Sequence, residues 1–285
     1  MIPKIAVSNF GGGKSLVDWI LGVMRECYNR IPHGVEFVDL YIFSDSTLAR
    51  GFLAREVRAM SISSVGFSGR YFAMHDAWKG TPRIVICLDK MLKLPRLVQV
   101  GGIRHEVGHS ILHGSIEYYV IPIPQPLREL GRTFNLSISY LTNILYLISV
   151  AVKDYEVTRL LHEAGYVDDQ MEYIRYILTP SEEEIEGWNL ARGNAPAELL
   201  YLASQLKCLG CAAPLTSAEK LEKRVTEWMR GSVMHLPKEY GENLLRICLE
   251  EFRDFKTDTI ENIMKASRAF CELIAVPLME RGCLL

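Results

Sequence analysis

The stretch His105-Glu106-Val107-Gly108-His109-Ser110-Ile111-Leu112-His113 decides how the rest of the chain is read. On an α-helix, residues four apart share one face and sit one turn above each other. His105 and His109 therefore offer two imidazole nitrogens to one metal ion. Glu106 stands beside that face, within reach of a water at the metal. In a helical H-E-x-x-H the carboxylate serves as general base, and zinc lowers the pKa of the water to roughly 7. Two solvated histidines on a surface helix would share the spacing, so the flanking residues matter. Leu97 to Ile103 leads in without a proline, and Ile103, Val107 and Ile111 recur at i, i+4 and i+8 as an apolar stripe. Gly114 stands where a helix C′ residue is expected. Gly108 costs roughly 1 kcal/mol against Ala inside the helix. The pattern predicts a helix with a buried back and a metal-binding face.

The chain has 285 residues, enough for one large domain or two packed ones, with 49% apolar and 23% charged residues. A formal net charge of −2 and no Lys/Arg run argue against a nucleic-acid surface. Cys27, Cys87, Cys208, Cys211, Cys248, Cys271 and Cys283 form an odd, scattered set, which fits reduced thiols in a cytoplasmic protein better than a disulfide framework. The first residues lack a cationic segment followed by an apolar one, so no secretion signal is expected. Thr133 to Val152 carries no charge and is long enough to span a bilayer. It also holds Asn135, Asn143 and three serines, which are costly against lipid. A buried central helix is the expectation, and no membrane partner.

The fold class expected is α+β. Lys4 to Val7, Val35 to Phe43 and Arg83 to Leu88 read as strands, the last apolar almost throughout and so placed within a sheet or against a helix. Ser15 to Tyr28 has helical period, and Ser44-Asp45-Ser46 offers the N-cap of a helix through Arg58. Ser61 to Ala73, punctuated by Gly and Ser, reads as a hairpin or loop. Beyond the motif, Ile121 to Pro126 is a proline-stiffened connector, and the rest of the chain reads as almost wholly helical. Helices are expected from about Phe134 to Glu163, after Pro180, after Asn194, and over Ser217–Arg230, Pro237–Phe255 and Thr257–Leu278. The expected division is an α/β portion over 1–118 with the metal helix, then a helical portion over 119–285 that carries a third ligand.

A catalytic zinc takes three protein ligands and a water. His113 lies eight residues from His105, roughly 12 Å along a helix axis, too far to share the ion. It is read as an outer partner, a substrate contact or a solvated side chain. In Lys153-Asp154-Tyr155-Glu156-Val157-Thr158 two carboxylates interrupt an apolar helix, where an acid is tolerated only when paired or metal-bound. Glu156 lies four residues from both Val152 and Leu160, so its face points inward. Asp154 lies about 160° away round the helix, so only one of them faces the metal. Glu156 is the preferred ligand, with Asp154 next and Glu117 third. A salt bridge to Arg159 or Arg132 is the competing role for Glu156.

The chain resembles zincin metallopeptidases of the gluzincin kind. His105 to His113 is particularly similar to the H-E-x-G-H-x-x-L-H stretch of ImmA/IrrE-type peptidases, and Asp154 to Thr158 loosely matches their acid-x-Glu-Ala-Asn segment. The likeness covers about a quarter of the chain. It implies a zincin-like fold, zinc on His105, His109 and Glu156, Glu106 as base, and Ile84 to Leu88 as an edge strand that pairs with an extended peptide. This chain departs from the pattern at Leu160, where gluzincins often place an Asp, and in having Val-Thr for Ala-Asn. A donor should stabilise the oxyanion in such a reaction, and Tyr118, Tyr119, Tyr155 and His162 are candidates. The expected activity is hydrolysis of a peptide or protein, with Zn2+ the only cofactor. Oligomeric state is written in no motif.

Two other readings have weaker support. Gly11-Gly12-Gly13-Lys14-Ser15 follows a strand and precedes a helix, as a phosphate-binding loop does, but Ser8 stands where that motif needs its first glycine. Cys208-Leu209-Gly210-Cys211 lacks the second pair that a structural zinc needs. A zincin fold kept as a silent sensor or scaffold would retain the metal without the turnover.

Overall fold

A computed structural model describes residues 2–60 and 70–283. The chain divides into two compact units. One comprises Met1–Val120 with Leu160–Tyr173, the other Ile121–Arg159 with Ile174–Leu285.

The first unit is built on a four-stranded sheet. Strand β1 (Lys4–Phe10) leads through helix α1 (Lys14–Arg30) to β2 (Phe37–Phe43) and α2 (Ser46–Met60), then β3 (Ala73–Asp76) and β4 (Arg83–Cys87). A short α3 (Leu88–Met91) and the long α4 (Arg96–Leu112) follow. The sheet order is β1-β2-β4-β3, with β1, β2 and β4 parallel and β3 antiparallel to β4. The parallel pairs arise because a helix returns the chain across the sheet between β1 and β2. Asp45 caps α2, its Oδ1 accepting from the Thr47 amide at 2.6 Å. Residues 61–69, within the expected hairpin or loop, lie outside the described residues; Ala73 already belongs to β3.

One expectation is corrected here. Ile84 to Leu88 does not form an edge strand: β4 lies between β2 and β3, and Leu88 has already turned into α3. Every residue of β4 is buried, as an apolar run requires when both faces are covered and both edges are paired. The edge on that side is β3, buried at its two ends and half-buried at Met74 and His75 between them.

Helix α4 packs against α1, β3 and β4, and eleven of its seventeen residues are buried. Two adjacent glycines set how close its neighbours come. A Cβ on Gly102 would overlap the Phe72 ring, and one on Gly101 would meet the Asp169 carbonyl and stand 2.7 Å from Tyr173 Cβ. The Ser110 hydroxyl donates to the Val107 carbonyl, so the 2.6 Å bond to Tyr28 on α1 has the Tyr28 hydroxyl as donor. At mid-helix, Arg104 pairs with Glu26 at 2.8 Å and Asp169 at 3.1 Å.

The second unit contains only helices among the described residues: α5 (Gln125–Thr133), most of α6 (Ile138–Glu163), the end of α7 (Asp168–Leu178), then α8 (Glu182–Ala191), α9 (Ala195–Ala212), α10 (Glu219–Ser232), α11 (Lys238–Arg246), α12 (Thr259–Phe270) and α13 (Val276–Cys283). Pro126 sits in the first turn of α5, where a missing amide costs nothing, so the proline connector ends at Pro124. The uncharged segment is not one helix from Thr133. Asn135 adopts a left-handed φ of 51° and separates α5 from α6. From Ala151 to Thr158, α6 is buried on every side, with Lys153, Asp154 and Glu156 among the buried residues. No described helix is long and apolar enough to cross a membrane. Helices α8, α11 and α13 pack around α9. Ser181 closes a capping box with Glu184 at the start of α8, and Asn194 caps α9. The two last helical stretches are each interrupted by a π-turn, Ile247–Glu251 and Cys271–Ala275.

Candidate metal centre

Helix α4 holds His105, Glu106 and His109 in consecutive turns, all three buried. His105 Nε2 and His109 Nε2 lie 3.2 Å apart, their rings nearly perpendicular at 80°. Two nitrogens bound at about 2.05 Å to one tetrahedral ion stand roughly 3.3 Å from each other. The pair therefore fits a shared metal ion. Its chemistry fits as well, since neutral imidazole suits zinc and other late first-row metals.

Around this pair the first unit gathers further aromatic side chains. His113, the helix C-cap, brings its Nδ1 to 3.3 Å from His109 Nδ1 and is fully buried. His75 on β3 stacks on the His109 ring, centroids 5.9 Å apart and planes 9° from parallel. The Tyr119 hydroxyl lies 2.8 Å from His75 Nδ1, and Trp78 packs on Tyr119. Tyr118 meets the His113 ring edge-on at 5.3 Å. His75 was missed in the sequence because a single histidine in a four-residue strand leaves no periodic mark. Only the sheet order puts it beside α4.

Strand β3 is fixed through its last residue. Arg83 on β4 reaches both oxygens of Asp76, the shortest contact 2.7 Å, and also pairs with Glu56 on α2, which in turn pairs with Lys79. Burial raises the Asp76 carboxyl above its ordinary range despite the Arg83 charge.

The carboxylates of α6 are placed by the second unit. Glu156 Oε2 accepts from Thr259 Oγ1 at 2.8 Å and Oε1 from Asn262 Nδ2 at 2.6 Å, both on α12. The sequence-preferred ligand thus has each oxygen engaged by the helix it packs against, and neither Arg159 nor Arg132 is the partner in those bonds. Arg159 instead donates to the Phe255 and Lys256 carbonyls. Asp154 is buried, and by helix geometry it faces away from Glu156. Lys153 beside it is also buried; desolvation pulls its ammonium down to about 8, with Asp154 and Glu156 opposing. Tyr155 belongs to an aromatic cluster of the second unit, edge-on to Phe252 at 5.7 Å and Phe255 at 5.2 Å. His162 is half-buried in the last turn of α6, and Glu117 is exposed on the turn Ile116–Tyr118.

The loop from Gly11 to Ser15 does follow β1 and open α1. Its Gly12 amide donates to Asn9 Oδ1 at 2.8 Å, and Asn9 Nδ2 returns a bond to the Gly12 carbonyl at 2.8 Å. One donor that a phosphate cradle would need is therefore already engaged. In the cysteine pair, Cys211 lies buried 3.4 Å from the Thr158 hydroxyl, and burial drives its thiol pKa up. Among the described residues that pair joins no cluster of three metal-binding side chains. The chain matches no protein-family model, no curated protein and no solved structure.

Proposed function

We propose that this protein is a zinc-dependent metallopeptidase of zincin-like fold, with His105, His109 and Asp154 as its protein ligands and Glu106 as general base. The observation that carries the reading is the 3.2 Å approach of the His105 and His109 Nε2 atoms on a buried helix, with Glu106 next to the first of them. Both carboxylates that the sequence offers as a third ligand, Asp154 and Glu156, are buried on α6. Asp154 takes the place first given to Glu156, because the Glu156 oxygens are bonded to Thr259 and Asn262.

When bound, zinc supplies Lewis acidity, lowering the pKa of a water to roughly 7 and polarising a substrate carbonyl. Glu106, buried beside His105, takes the proton from the attacking water and passes it to the departing nitrogen. The outer edge of β3 offers an extended peptide a strand to pair with, beside the helix that carries the base. Tyr119 and His75 hold each other through their 2.8 Å bond, which presents preorganised donors next to His109.

The test is metal analysis of the purified full chain together with cleavage of a mixed peptide library. Near-stoichiometric zinc, lost in His109→Ala along with cleavage, is the expected result. Zinc that survives both His109→Ala and Asp154→Ala would overturn the assignment of the site. Zinc without cleavage of any peptide would favour the silent scaffold.

A further inference from the structure

We infer that His113 is a positioning residue for the metal ligand His109, holding its imidazole in the one tautomer and rotation that turn Nε2 toward His105. The inference rests on the metal reading above and adds a role to a residue which that reading does not use.

His105, His109 and His113 repeat at four-residue intervals, yet the two contacts differ in kind. His109 meets His105 through Nε2 and meets His113 through Nδ1. Its two ring nitrogens thus point in opposite directions, one to the second imidazole and one to an outer partner. A neutral imidazole that coordinates through Nε2 must carry its hydrogen on Nδ1. That hydrogen faces His113 Nδ1 at 3.3 Å, so His113 accepts there and carries its own hydrogen on Nε2. Both tautomers follow from one contact.

The surroundings allow His113 little freedom. As the C-cap of α4 it donates its backbone amide to the His109 carbonyl at 2.7 Å, so main chain and ring both bond to the same residue. Tyr118 closes on its ring edge-on, and the side chain is fully buried. His75, stacked on His109, limits rotation of that ring as well. Metal-bound histidines usually give their second N–H to a carboxylate or a carbonyl, and losing such a partner costs about 10–100-fold in metal affinity. Here the acceptor is an uncharged imidazole.

The experiment compares zinc affinity, by chelator competition, in the full-length wild type, His113→Leu and His113→Asn. Leucine fills the space without an acceptor; the asparagine Oδ1 stands close to where the histidine Nδ1 was. The expected result is affinity about 10–100-fold weaker in His113→Leu and restored to near the wild-type value in His113→Asn. Nitrogen-15 spectra of the zinc-loaded wild type should show His113 protonated on Nε2 and His109 on Nδ1. That measurement holds even if the leucine variant fails to fold. Unchanged affinity in a folded His113→Leu, or a His113 protonated on Nδ1, would overturn the role while leaving the zinc site intact. A wild type that takes up no zinc would overturn the site itself, and this role with it.

Discussion

Asn262 donates to Glu156 across 2.6 Å, joining α12 to α6 through a buried carboxylate. With the Thr259 bond, this makes Glu156 a structural acceptor whose loss should register as stability. Glu156→Gln is expected to lower the unfolding free energy by about 1–3 kcal/mol and leave zinc content unchanged. Asp154→Asn should do the reverse, weakening zinc by more than the roughly 100-fold that an outer partner costs. Denaturant titration and metal analysis of both variants decide it. Zinc lost with Glu156 and kept without Asp154 would exchange their roles.

Glu106 is expected to matter for turnover and little for metal. Glu106→Gln keeps the shape and removes the base, so cleavage should fall by about 10²–10⁴-fold at unchanged zinc stoichiometry. Progress curves on any peptide found to be cleaved, paired with metal analysis, measure both. Retained cleavage would remove Glu106 from the mechanism.

The glycine pair at the start of α4 gives a prediction about packing. Gly102→Ala must displace the buried Phe72 ring, and Gly101→Ala must displace the Asp169 backbone. Each should lower stability by about 1–3 kcal/mol, with Gly101→Ala the worse because a carbonyl yields less than a ring. Gly22→Ala on α1, where a Cβ meets nothing within 4 Å, should raise stability by up to about 1 kcal/mol. Thermal melts of the three variants test the ordering.

Stability should also decline in alkali. Burial pushes the Cys27, Cys87 and Cys271 thiols up to about 12 from an ordinary 9.0. Between those values the unfolded chain releases protons that the folded one retains, so stability is full below pH 9 and falls as pH rises toward 12. Each thiol contributes a slope of about 1.4 kcal/mol per pH unit. Lys153, lowered to about 8, acts oppositely: the folded chain gives up its proton first, so stability rises from about pH 8 to the ordinary lysine value. Three thiols outweigh one ammonium. Urea midpoints under reducing conditions should fall between pH 9.5 and 11, and Cys27→Ala should flatten that fall.

The face shared by His105 and His109 was legible because a helix repeats: the period that aligned the two histidines also marked Ile103 and Val107 as the buried back of α4. The helix starts after Pro180 and Asn194 were legible for a similar reason, being local. Long-range relations were not. Helix geometry established that Asp154 and Glu156 face opposite ways, but the choice between them turns on Thr259 and Asn262, more than a hundred residues later. The interior position of β4 was hinted at by its unbroken apolar run, while the expected peptide-binding edge pointed the other way; the sheet order favours the hint. Helix α7 passed unnoticed, although Gly101 has no Cβ because its Asp169 carbonyl comes so close.

That close approach has a use beyond stability. H-E-x-x-H alone is too short to discriminate. Gly101 and Gly102 lengthen it to Gly-Gly-x-x-His-Glu-x-x-His, and His113 adds a third histidine four places on. Each added position is tied to a contact rather than to ancestry, through the Asp169 carbonyl, the Phe72 ring and His109. Distant kin that have lost all other likeness should still display this fingerprint.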